Sequence, residues 1–170
     1  MILRPQDIVA LAKIEAMAGQ PWTYSSLAAM LKISPSNLHE GLRTAASSHL
    51  YDPVRKLPIR RNLLEFLVHG IKYCFPPKRG QLVRGVPTSY AASPLVSLFA
   101  PSGEPPPVWP YAEGVVRGVS FEPLYPTVPI AAMADPRLGE MLVLIDAIRD
   151  GRPRESKAAV DELTKRLQAQ

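Results

Sequence analysis

Eleven of the chain's 19 prolines fall between residues 85 and 136, and that block constrains the fold more than any other feature. Proline lacks a backbone N–H and fixes φ at about −65°, so such density excludes long helices and regular central strands. The block is nevertheless rich in large apolar residues, including Tyr90, Leu95, Val96, Leu98, Phe99, Trp109, Phe121, Leu124 and Tyr125. A free linker would be poor in them. The segment is therefore expected to wrap the body in extended form or to lie against a partner, with residues 103–107 its most mobile part. Regular elements must come from the residues on either side.

On the N-terminal side, Pro5–Met17 carries Ile8, Leu11, Ala12 and Ile14 at helical spacing, and Gly19-Gln20-Pro21 ends that helix. Thr23 can cap a second helix through Leu31. Lys32-Ile33-Ser34 has the composition of a turn, and Ser34-Pro35 opens a third helix. The serine hydroxyl accepts from orphan N–H groups, and proline fits the first helical position. Leu38, Leu42, Ala45 and His49 are expected on the inner face of that helix. Two helices joined by so short a turn form a helix-turn-helix, whose second helix can lie in the DNA major groove. Leu50–Arg61 fits either two short edge strands of a wing, with Arg55 and Lys56 at the tip, or a plain basic loop.

Asn62 then suits the cap of a helix from Leu63 to Phe75. That helix is apolar nearly all round and is expected to be buried in the core or in a dimer interface. Pro76-Pro77 stops it, and a short strand is expected at Gln81–Val86. Asp135-Pro136 starts a helix to Arg149 with Leu138, Met141, Leu142, Ile145 and Ile148 as its stripe. Arg154–Leu167 forms another. The expected fold class is mainly α. It comprises a winged helix-turn-helix at 1–61, an apolar helix and basic loop at 62–84, a Pro-rich extended segment at 85–136 and a helical pair at 137–170.

The net charge of +5 is unevenly placed. Residues 1–84 carry +7, whereas residues 85–170 carry −2. The half that holds the helix-turn-helix is thus the half suited to a polyanion. On its second helix, Ser36, Asn37, Glu40, Arg43, Thr44 and Ser47 are residue types that can contact base edges. Ser34 lies at the start of that helix. Arg55, Lys56, Arg60 and Arg61 are suited to phosphates beside the groove, where contacts fix position without reading sequence.

Catalytic patterns are absent from the sequence. Glu65 and His69 lie one turn apart and suit an ordinary i,i+4 contact, while Cys74, in an apolar helix, is expected to be an inert core thiol. No phosphate-binding glycine loop or nucleophile elbow occurs. No enzyme activity, metal or cofactor is expected. No apolar run of about 18 residues occurs, the N-terminus lacks a signal-peptide layout, and one cysteine forms no internal disulfide. A soluble, cytoplasmic protein with no membrane contact is expected.

The stretch TYSSLAAMLKISPSNLHEGLRTAASSHL resembles the winged helix-turn-helix of MarR-type bacterial transcriptional regulators. The matching parts are the helix Thr23–Leu31, the turn Lys32–Ser34 and the helix from Pro35 with Leu38 and Leu42. The resemblance implies a homodimer that binds palindromic double-stranded DNA and controls transcription. It assigns base reading to Ser36, Asn37, Glu40 and Arg43, and the wing to Arg55 and Lys56. DNA-binding antitoxins are similar in plan, with a helix-turn-helix followed by a segment that wraps a toxin. Two functions are therefore expected: a DNA-binding repressor, or an antitoxin or adaptor that holds a protein partner through residues 85–136.

Overall fold

The computed structural model describes residues 1–168. Among them, eight helices and two small sheets follow in the order α1 (Pro5–Ala16), α2 (Tyr24–Leu31), α3 (Pro35–Ser47), β1 (Tyr51–Asp52), β2 (Leu57–Pro58), α4 (Arg60–His69), α5 (Ile71–Cys74), β3 (Arg79–Pro87), β4 (Pro107–Pro110), β5 (Val116–Phe121), α6 (Val128–Ala134), α7 (Pro136–Asp150) and α8 (Pro153–Gln168). The fold is helix-rich, in line with the expected class. One continuous apolar core runs from Ile8 in α1 to Leu167 in α8. No helix among the described residues is long and apolar enough to cross a membrane.

Two helices form the centre. α1 is buried from Asp7 through Ala16, and α7 from Met141 through Arg149. Their amphipathic stripes underestimate this, because other elements cover their polar sides as well. Asp135 joins the two helices. One carboxylate oxygen accepts the N–H groups of Arg137 and Leu138, capping α7, while the other takes the Lys13 ammonium at 2.6 Å. A helix N-terminus favours such an anion, and a nearly buried lysine requires one.

Residues 85–136 depart from the expected extended wrap. β3 pairs antiparallel with both β4 and β5, and β4 pairs parallel with β5, closing a three-stranded barrel. Prolines are tolerated because the sheet uses them as acceptors: the Pro107 carbonyl takes the Thr88 N–H and the Pro106 carbonyl takes the Val119 N–H. Closure also requires bare backbone at Gly85, where a Cβ would collide with the Trp109 carbonyl. Trp109 and Phe121 thereby enter the core. The remainder of the segment holds two short 3-10 turns, at Ser89–Ala91 and Val96–Leu98, and α6.

The apolar helix expected at 63–75 divides into α4 and α5 at Gly70. Its cap is Ile59, not Asn62, whose side chain instead donates to the His49 carbonyl at 2.7 Å. Only Leu63, Leu67 and Ile71 of this stretch are buried, and Cys74 is exposed rather than in the core.

The barrel is fastened to α7 through Asp146. Its carboxylate accepts the Thr88 hydroxyl and the Trp109 indole N–H at 2.7 Å each, and the Arg149 guanidinium at 2.8 Å. Arg149 also donates to the carbonyls of Phe75 and Glu122 and stacks over the Phe121 ring. Burial pushes the Asp146 carboxyl above its usual range, against the opposing pull of Arg149, Thr88 and Trp109. Asp146→Ala leaves Thr88 and Trp109 without their acceptor and Arg149 without its counter-charge inside the core. Stripping one partner from a buried charge pair costs about 3–5 kcal/mol, so the variant should unfold at a clearly lower urea midpoint than the wild type.

Candidate nucleic-acid interface

The α2–turn–α3 geometry follows from local chemistry. Thr23 and Ser26 cap α2 reciprocally: Ser26 N–H donates to Thr23 Oγ1 at 3.0 Å and Thr23 N–H to Ser26 Oγ at 2.9 Å. Lys32 then takes a left-handed conformation, φ 57°, and reverses the chain. Ser34 Oγ accepts the Asn37 N–H at 3.2 Å with Pro35 at the first helical position, as the sequence predicts.

The register of α3 against α1 is set by Arg4, Asp7 and Gly41. Asp7 is buried and accepts both the Arg4 backbone N–H, at 2.8 Å, and its guanidinium, at 3.1 Å. The same guanidinium donates to the Asn37 carbonyl at 3.1 Å and lies 3.9 Å from Glu40. Gly41 is required because a Cβ there would overlap the Asp7 carboxylate. Arg4 and Asp7 were not among the sequence-derived site residues. The only local signal for them was Asp7 at a position suited to capping α1.

This registration leaves Ser36, Asn37, His39, Glu40, Arg43 and Ser47 exposed on α3. The Arg43 guanidinium has no hydrogen bond or ion pair among the described residues. Ser34 is exposed too, but its hydroxyl is engaged as the cap. Thr44 is different: it is 3% exposed and its hydroxyl donates back to the Glu40 carbonyl. It shares the buried side with Gly41 and Ala45, so its position does not reach the solvent face expected for it. His49 lies beyond the helix, exposed at φ 58°, and not on the inner face.

β1 and β2 pair antiparallel, Tyr51 with Pro58 and Asp52 with Leu57, so the Leu50–Arg61 stretch is a hairpin and not a plain loop. Asp52 Oδ1 accepts the N–H groups of Val54 and Arg55 at 2.9 and 3.1 Å and shapes the tip. Arg55 is highly exposed, 3.8 Å from Asp52. Lys56 lies over the Trp22 ring at 5.5 Å. Trp22 packs edge-on against Tyr24, which in turn packs on His39 of α3, so an aromatic brace connects hairpin to helix. Arg55, Lys56 and Trp22 also border a cleft of about 270 Å³. Arg61 is exposed in the first turn of α4. Arg60, by contrast, forks onto Glu15 at 3.0 and 3.1 Å. A carboxylate buried in α1 needs a cation, and this one holds Arg60 against the body.

The structure thus gathers Ser36, Asn37, Glu40, Arg43 and Ser47 on one exposed helix face, with Arg55 and Lys56 on a braced hairpin. It diverts Thr44 and Arg60 to structural contacts. Among the described residues, no group of three or more His, Cys, Asp or Glu side chains is placed to hold a metal ion. No family model, curated protein or solved structure matches the chain.

Two measurements test this geometry. Gly41→Ala drives Asp7 off Arg4, so it should destabilise by about 1–2 kcal/mol, overpacking outweighing the gain in helix propensity, as read by chemical denaturation. Burial pushes the Tyr51 hydroxyl up to about 12, with Tyr24 and Asp52 adding to the rise. The folded chain then keeps a proton that the unfolded chain loses from pH about 10. Stability should fall as pH rises from about 10 to about 12, and Tyr51→Phe should flatten that fall in Tm.

Proposed function

We propose that the chain is a sequence-specific DNA-binding transcriptional regulator, a repressor in mode of action, that inserts α3 into the major groove. The observation that carries this reading is the solvent face of α3. It offers Arg43, unengaged and suited to guanine, Asn37, suited to adenine, and Glu40, able to accept from cytosine, flanked by the exposed hydroxyls of Ser36, bonded to Ser34, and Ser47, bonded to the Arg43 carbonyl. The adjoining hairpin holds Arg55 and Lys56 where phosphate contacts would fix the helix in the groove. The winged helix-turn-helix resemblance supports the same assignment and adds a homodimer, whose two α3 helices would meet successive major grooves about 34 Å apart.

The alternative, an antitoxin or adaptor that grips a protein through residues 85–136, is less supported. The largest side chains of that segment are engaged within the chain: Trp109 on Asp146 and Phe121 beneath Arg149. Tyr125 is half-buried.

Binding of random and selected duplexes across a salt series tests the reading. The wild type should bind with log K falling linearly in log salt. Arg43→Ala should cost about 1–3 kcal/mol and relax preference at one base pair, whereas Arg55→Ala should weaken all duplexes alike and reduce the salt slope by about 1. Absence of duplex binding at low salt would overturn the assignment.

A further inference from the structure

Arg84 and Arg117 stand directly opposite each other in the antiparallel β3–β5 ladder. Side chains so placed have Cβ atoms about 5 Å apart, and two like charges there are destabilising. Some exposed arginines lie beside carboxylates, as Arg79 on the same strand, 2.6 Å from Asp150, and Arg152, 3.1 Å from Glu104. Neither the Arg84 nor the Arg117 guanidinium has a hydrogen bond or ion pair among the described residues.

The two arginines border a concavity of about 400 Å³ whose remaining lining is Glu113, Gly114, Val115 and Val116. Glu113 is turned to the Tyr111 hydroxyl, which donates to it at 3.2 Å, and not to either guanidinium. Gly114 lies so close to the Gly85 backbone that a Cβ would overlap it, so no side chain fills that wall. Along the same face the next opposed pair is Leu82 and Val119, which supplies no counter-charge.

We infer that Arg84 and Arg117 form a clamp for a phosphate group. Each guanidinium presents a planar fork of donors. A carboxylate has two oxygens and is satisfied by one fork, whereas a phosphate has oxygens for both. Bound between them, the anion turns a repulsive pair into a shared counter-ion. The clamp lies on the barrel, is separate from α3 and does not depend on the DNA reading. Its phosphate can come from a nucleic-acid backbone or from a free phosphorylated small molecule.

The test follows the arginine Nε–H resonances of the ¹⁵N-labelled full chain during titration with sodium phosphate, against sodium chloride at equal ionic strength, and separately with random duplex DNA. The expected result is a joint shift of the Arg84 and Arg117 signals with phosphate and not with chloride. Arg117→Glu should abolish the Arg84 response. Without phosphate, the same variant should keep the fold and raise Tm by about 2 °C, because a glutamate opposite Arg84 is a favourable cross-strand pair. A matching shift with duplex assigns the source to the nucleic-acid backbone. A shift with phosphate alone assigns it to a small phosphorylated ligand. Arg43→Ala should leave the phosphate response intact, so that failure of the α3 reading is told apart from failure of this one. Equal responses to phosphate and chloride at both arginines overturn the clamp.

Discussion

The Asp146 carboxylate is the point on which the two kinds of structure in this molecule meet. A closed sheet of only three strands has little interior, and its apolar side chains need a helix beneath them. α7 supplies that helix, and Asp146 fixes the relation by holding Thr88 and Trp109 while Arg149 reaches the carbonyls of Phe75 and Glu122. A buried carboxylate is costly unless each lone pair is answered. The answer here draws donors from the chain around β3, from β4 and from α7 itself, so the arrangement is tolerated only when all three are in place. Buried polar networks of this sort specify one packing among several that apolar contact alone would allow.

The candidate interface inherits its rigidity from the same centre. α1 rests on α7 through its apolar side chains and the Lys13–Asp135 pair. α3 is registered on α1 by Arg4, Asp7 and the absent side chain of Gly41. Glu15, further along α1, holds Arg60 at the start of α4, and so fixes the strand that returns from the hairpin. The exposed face of α3 is therefore backed by a chain of ion pairs and close contacts that ends in the core. A recognition surface benefits from such backing, because side chains on a fixed helix lose less freedom on binding.

Much of the N-terminal unit and the closing helices was legible in the sequence because its signals are local. Thr23, Ser34-Pro35 and Asp135-Pro136 announce helix starts by capping chemistry that acts within three residues. Apolar spacing places α1 and α7, although it understates their burial, since a stripe does not reveal that polar sides such as Asp7, Lys13, Glu15 and Asp146 are covered by their own partners. Thr44 was misplaced for a related reason. Helical spacing sets it beside Ala45 and three residues after Gly41, and the close approach that Gly41 permits decides which of these positions is covered. Of the barrel only β3 was legible, as the short strand expected at Gln81–Val86; its closure was not. Its pairings join residues 12 to 42 apart, as Pro107 with Val119 and Arg79 with Phe121, and proline density argued against strands that in fact use proline carbonyls as acceptors. Arg60 and its partner Glu15 are 45 residues apart, and no local rule joins them.

The all-round burial of α1 has a consequence for how the chain is made. During synthesis α1 emerges well before the helix packed on it, α7, which begins at Pro136. Until then Lys13 lacks its Asp135 partner, and Thr127 has not reached the Leu31 carbonyl at the end of α2. The α1–α3 unit is thus not an independent head carried by a tail. A nascent chain would carry that unit with an open, apolar face until α6 and α7 leave the exit tunnel, and a polypeptide interrupted in the barrel would present this face to chaperones.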